Sequence, residues 1–139
     1  MAGRQKPDFS GEWILNRGAS TLSTGADAVR SGVWTIDHRE PAFRHKATFV
    51  TDAKPFTFEY ELVSDGPEVR GADHGSPTVG TLRWDGDALV VTWRTLGPAG
   101  DERISFRCEV AGDGRRLRAA EQVRGTDHDQ DNVWVFDRG

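Results

Sequence analysis

The chain has 139 residues, a formal net charge of −4, 36% hydrophobic residues and 29% charged residues. That length makes a single domain, 1–139, with room for a sizeable core. Its 18 Lys and Arg are scattered, which argues against nucleic acid because phosphate binding needs clustered cations. No apolar run approaches the ~18 residues of a membrane span.

Sixteen glycines and six prolines supply many turns and favour an all-β chain over a helical one. Residues 1–7 carry no apolar signal region, so the cytoplasm is the default compartment. A secreted or periplasmic protein whose signal peptide had been removed would read the same.

The first patterned stretch is Asp8-Phe9-Ser10-Gly11-Glu12-Trp13-Ile14-Leu15-Asn16. Phe9, Gly11, Trp13 and Leu15 fall on one face and Ser10, Glu12 and Asn16 on the other, the period-two pattern of a half-buried strand. A glycine two residues before a buried tryptophan lets backbone or a side chain approach closely. Residues 17–31 are rich in Ser, Thr, Gly and Ala; Thr24 or Asp27 could cap a short helix over 26–30, or the segment is a plain loop.

Alternation then runs to the end of the chain. The inward sets are Trp34, Ile36 and His38; Phe43, His45, Ala47 and Phe49; and Phe56, Phe58, Tyr60 and Leu62. A hairpin turn is predicted at Ser64-Asp65-Gly66 and a short strand at 68–71. Further inward sets are Leu82 and Trp84; Leu89, Val91 and Trp93; Ile104, Phe106, Cys108 and Val110; Leu117, Ala119, Glu121 and Val123; and Asn132, Trp134 and Phe136. This is roughly ten strands at antiparallel-meander spacing. A meander of that length closes on itself to remove its edges. The predicted fold is all-β, a single closed antiparallel up-and-down barrel of about 8–10 strands, with a short lid segment after the first. A two-sheet sandwich is the alternative.

In an up-and-down barrel the connections alternate between ends. The short connections 39–42, 64–66, 85–87 and 112–114 therefore share one end. The longer connections 17–32, 51–55, 72–77, 96–101 and 125–131 share the other, which is the expected entrance. His38 and His45 fall near the tight-turn end and read as a hydrogen-bonded structural pair. His74 and His128 fall in entrance loops, each after an aspartate, with no short His-x-x-x-His or Cys-x-x-Cys spacing to support a metal. Cys108, the lone cysteine, shares a face with Ile104, Phe106 and Val110 and reads as a buried inert thiol. Arg115, Arg116 and Arg118 read as a solvated strand face.

Glu121 is the one carboxylate sharing an apolar strand face. Directed inward, it must be paired, hydrogen-bonded or neutralised, and it becomes a ligand contact or an acid–base group. A bulge or register shift would turn it outward, and both readings stand at this point. Tyr60, between Phe58 and Leu62, could partner Glu121 or a ligand.

Phe-x-Gly-x-Trp near the head of a chain this long resembles the first strand of the calycin barrels: lipocalins, fatty-acid-binding proteins and avidins. The strand count, the lid position and the turn strings Trp84-Asp85-Gly86-Asp87-Ala88-Leu89 and Gly112-Asp113-Gly114-Arg115-Arg116-Leu117 look most like fatty-acid-binding proteins. The string 8–16 also resembles bacterial lipocalin-like domains. The resemblance implies a container for a small molecule. Fatty-acid-binding proteins hold a carboxylate with an Arg-x-Tyr pair on the last strand, and here Trp134 and Phe136 stand at those places. Arg107 resembles that family's other buried arginine by local string, but its face carries Arg103, Ser105 and Glu109, which points it outward. Ile14-Leu15-Asn16-Arg17 lacks the glycine repeat of haem-binding relatives, so no cofactor is expected.

Three functions follow. One is a carrier, monomeric or homodimeric, of a small apolar or aromatic molecule, its ligand-binding residues being Phe58, Tyr60, Trp93, Glu121, Asn132, Trp134 and Phe136. The second is a barrel hydrolase, isomerase or cyclase with Glu121, His128, His74 and Tyr60 as catalytic groups. The third is a structural or partner-binding module with a filled core. A cavity of at least ~300 Å³ separates the first two from the third.

Overall fold

A computed structural model of the protein describes residues 7–23, 26–73, 76–97, 100–111, 114–125 and 129–139. Ten strands follow in chain order: β1 (Gly11–Leu15), β2 (Val29–Arg39), β3 (Ala42–Thr51), β4 (Phe56–Val63), β5 (Val69–Asp73), β6 (Ser76–Asp85), β7 (Ala88–Gly97), β8 (Gly100–Ala111), β9 (Arg116–Arg124) and β10 (Gln130–Arg138). All strand–strand ladders are antiparallel, and the sheet order is β4-β3-β2-β1-β10-β9-β8-β7-β6-β5. β1 therefore pairs with both β2 and β10, joining the two ends of the chain into a nearly closed up-and-down barrel.

Period-two alternation is what lines the interior. Trp34, Ile36 and His38 of β2 are buried, as are Phe43, His45, Ala47 and Phe49 of β3, Leu117 and Ala119 of β9, and Asn132, Trp134 and Phe136 of β10. The intervening β2 and β3 residues Thr35, Asp37, Arg44 and Lys46 face solvent. Trp13 is fully enclosed, donates its indole N–H to the Phe9 carbonyl at 2.9 Å, and lies beneath the Arg138 guanidinium. Gly11 has φ +136°, and a Cβ there would collide with that guanidinium. The glycine two residues before the tryptophan thus admits a side chain, Arg138, which also donates to the carbonyls of Ser10 and Gly114.

Three local expectations change. Ser64-Asp65-Gly66 does not join a hairpin, because β4 and β5 are the two edges of the sheet. Instead Ser64 forms a parallel bridge to Leu82, and the Asp65 N–H reaches the Leu82 carbonyl at 2.8 Å, tacking the seam to β6 at the tight-turn end. The connections expected at 72–77 and 96–101 shrink, since β5, β6, β7 and β8 run to within two residues of each other. The segment after β1 forms two single 3-10 turns, Arg17–Ala19 and Ala26–Ala28, rather than a helix over 26–30. Ten-stranded closure leaves little chain for a longer helix, as β2 already begins at Val29. Among the described residues no helix is long and apolar enough to cross a membrane.

Candidate functional site

The barrel is not filled. It encloses a cavity of about 690 Å³, well above the ~300 Å³ at which small-molecule sites begin. Its walls are largely apolar and aromatic, including Phe49, Phe58, Trp93, Phe106 and Trp134. Ala26, Val29, Phe56, Thr95, Val123 and Gln130 line it toward the end that carries the lid segment. Phe56 and Phe58 were expected fully inward, yet they are 46% and 36% exposed, because β4 has no strand beyond it and the cavity reaches the surface along that edge. Trp93 packs directly over Gly80, where a Cβ would overlap its ring.

Of the ligand-binding residues expected from the sequence, Phe58, Tyr60, Trp93, Glu121, Asn132 and Trp134 line the cavity. Phe136 does not: it is fully enclosed and packs against Trp34, the rings tilted with centroids 4.4 Å apart. Its strand face is right, but β10 has descended into packed core by that position.

Glu121 points inward. It sits opposite Asn132 on β10 and Phe106 on β8. Its Oε1 accepts from Asn132 Nδ2 at 3.0 Å and from Trp134 Nε1 at 2.9 Å. The Asn132 amide orientation is set by its other end, since Oδ1 accepts from the Ser23 backbone N–H at 2.7 Å and from Ser23 Oγ at 2.9 Å. Only an oxygen can take a backbone N–H, so the amide nitrogen must face Glu121. The lid segment is thereby tied to the carboxylate through one side chain. It is also tied to β10 by an antiparallel bridge between Thr21 and Val133.

Tyr60 is not Glu121's partner. Its hydroxyl lies 2.8 Å from Nδ1 of His45, the residue opposite it on β3. His45 is the lining residue that sequence reasoning set aside as structural. Burial drives its imidazole down to about 3, so it is neutral in the folded protein. Burial, with a smaller effect from Cys108, pushes the Tyr60 phenol well above its ordinary value. His45 Nε2 and Trp34 Nε1 are buried without a hydrogen-bond partner among the described residues, and both side chains line the cavity. Inward placement on β3 was readable; the missing partner was not. His38 does not bond His45 either. It accepts the Phe9 N–H at Nδ1 and faces Glu40 Oε1 through Nε2 at 3.2 Å.

Cys108 lines the cavity as a buried thiol, pushed up to about 12 by burial. Arg107 turns outward onto Asp85 at 2.8 Å. No Lys or Arg lines the cavity among the described residues, and no three His, Cys, Asp or Glu side chains among them gather as a metal site. His74 and His128 lie outside the described residues.

This ring order, with its single seam and its lid after the first strand, decides the architecture. The protein has a calycin-like barrel fold. Solved structures of the same fold include a secretory abundant heat soluble protein from Ramazzottius varieornatus, with a TM-score of 0.66 at 12% identity over 99% of both chains. The zebrafish ileal bile acid-binding protein, complexed with cholic acid, superposes with a TM-score of 0.59 at 15% identity over 94% of this chain and 98% of its own. The REP1-NXSQ fatty acid transporter superposes with a TM-score of 0.57 at 17% identity over 94% of this chain and 95% of its own. No family model matches the chain, and no curated protein matches it by sequence. On the last strand of this barrel Trp134 donates to Glu121, and no arginine of that strand lines the cavity among the described residues.

Proposed function

We propose that this calycin-like barrel is a carrier that holds a small apolar or aromatic molecule in its cavity. The observation that carries the reading is a space of about 690 Å³ walled by aromatic rings and reaching the surface along β4. An apolar guest moving from water into such walls gains roughly 25 cal/mol for every Å² buried. Similar barrels include a fatty acid transporter and a bile acid-binding protein, which supports a guest of hydrophobic character. Phe58, Tyr60, Trp93 and Trp134 supply the walls, and Glu121 and Asn132 supply polarity.

The test is titration with Nile red, a neutral dye that brightens in apolar surroundings. Saturable binding in the micromolar range, with quenching of tryptophan emission, is the expected result. Emission that rises linearly, without saturation and without quenching, overturns the carrier reading.

A further inference from the structure

Among the described residues the charged groups that line the cavity carry one sign. Glu121 and Glu59 line it, whereas no Lys or Arg does so among the described residues, and His45 is neutral. Glu59 stands exposed on β4, opposite the exposed Lys46 of β3. Glu121 is built into the wall: both of its donors, Asn132 and Trp134, act on Oε1. Among the described residues no donor reaches Oε2 and no cation pairs with the carboxylate. Asn132 cannot rotate to serve elsewhere, because Ser23 holds its oxygen from the lid side.

A carboxylate accepts only, so the remaining oxygen calls for a donor, best a charged one. The Trp134 ring beside it, packed 5.5 Å from the Phe49 ring, offers aromatic faces that attract a cation. A carboxylate guest meets the reverse conditions. It would be stripped of water beside a like charge, with no cation to offset the loss.

We infer that the cavity takes a hydrophobic amine, its ammonium group donating to Glu121 beside Trp134 and its apolar body lying between the walls of β3, β4 and β7. This rests on the carrier reading and adds the chemistry of the head group.

The experiment is competition against bound Nile red by dodecylamine, dodecanol and dodecanoate, all below their aggregation limits and at about 0.15 M salt, near physiological ionic strength. Dodecylamine should displace the dye at a roughly tenfold or more lower concentration than dodecanoate or dodecanol, as expected for a charge-assisted bond. That preference should collapse in Glu121→Gln and persist in Glu68→Gln, an exposed carboxylate that controls for the acidic surface. Dodecanoate displacing as well as the amine in the wild-type protein overturns the inference and leaves the carrier standing, whatever the variants do. Dodecanol matching the amine, or a preference that survives in Glu121→Gln, does the same. Failure of Nile red itself to bind removes the carrier reading and this inference together.

Discussion

The Nδ1 atom of His45 and the phenolic oxygen of Tyr60 lie 2.8 Å apart, on directly opposed residues of β3 and β4. Tyr60 keeps its proton, since burial raises its pKa, and among the described residues Nδ1 is the hydrogen-bond partner of its hydroxyl. Among the described residues Nε2 of His45 has no hydrogen-bond partner, and neither has Trp34 Nε1. Two unpartnered polar atoms in one wall are a cost of the kind that leaves about 1–3 kcal/mol unrecovered per group.

This neutral histidine makes stability depend on pH. Its folded value of about 3 lies below the ordinary 6.5, so the unfolded chain binds the proton first as pH falls. The contribution is complete above about 6.5 and is lost progressively down to about 3. From pH 6.5 to 5 the loss is about 2 kcal/mol. Urea unfolding at both values should show that slope in the wild-type protein and a smaller one in His45→Gln, which keeps an acceptor for Tyr60. Equal slopes in the two proteins would remove the assignment to His45.

Trp13 joins the first strand to the last residues through Arg138, whose guanidinium carbon lies 4.2 Å from the ring centroid. Trp13→Ala should cost roughly 3–5 kcal/mol, as large aromatic truncations in cores do. Gly11→Ala should also destabilise, because φ +136° and the guanidinium both oppose a Cβ. Chemical denaturation checks both, and an unchanged midpoint in Trp13→Ala would contradict its burial.

Gly80→Ala tests the cavity rather than the fold. The new methyl meets the far edge of the Trp93 ring, which must shift into the space it borders. Nile red affinity should fall severalfold while the unfolding free energy changes by about 1–2 kcal/mol at most. Unchanged affinity would mean the dye sits elsewhere.

Glu40 binds the seam at the opposite end. Ser64 Oγ donates to its Oε1 at 2.7 Å and Trp84 Nε1 to its Oε2 at 2.6 Å, linking the β2–β3 turn to both sides of the gap. Burial acts against ionisation, yet hydrogen bonds from Ser64, Trp84 and His38 hold the carboxyl below its usual range. Glu40→Ala should cost about 1 kcal/mol, limited because water can replace part of what is lost. Amide exchange should quicken first around Ser64 and Leu82; protection unchanged there would exclude a clasp.

The barrel and much of its lining were legible because a strand records its buried face every second residue. That rule alone placed Trp34, His45, Ala47, Trp93, Glu121 and Trp134 inward, and all of them are lining or core. It could not say where along a strand the wall stops and packed core begins, so Phe136 read as lining although it packs against Trp34. Nor could it find the seam: Ser64-Asp65-Gly66 has turn chemistry whether or not the flanking strands pair, and pairing is a property of the closed ring. Which oxygen of Glu121 is taken, that Ser23 holds Asn132 from the lid, and that His45 meets Tyr60 while its other nitrogen meets no partner among the described residues are relations between residues 11 to 109 positions apart. Local pattern determined which faces turn inward; only the closing of the sheet decided which polar atoms find partners there and which remain for a guest.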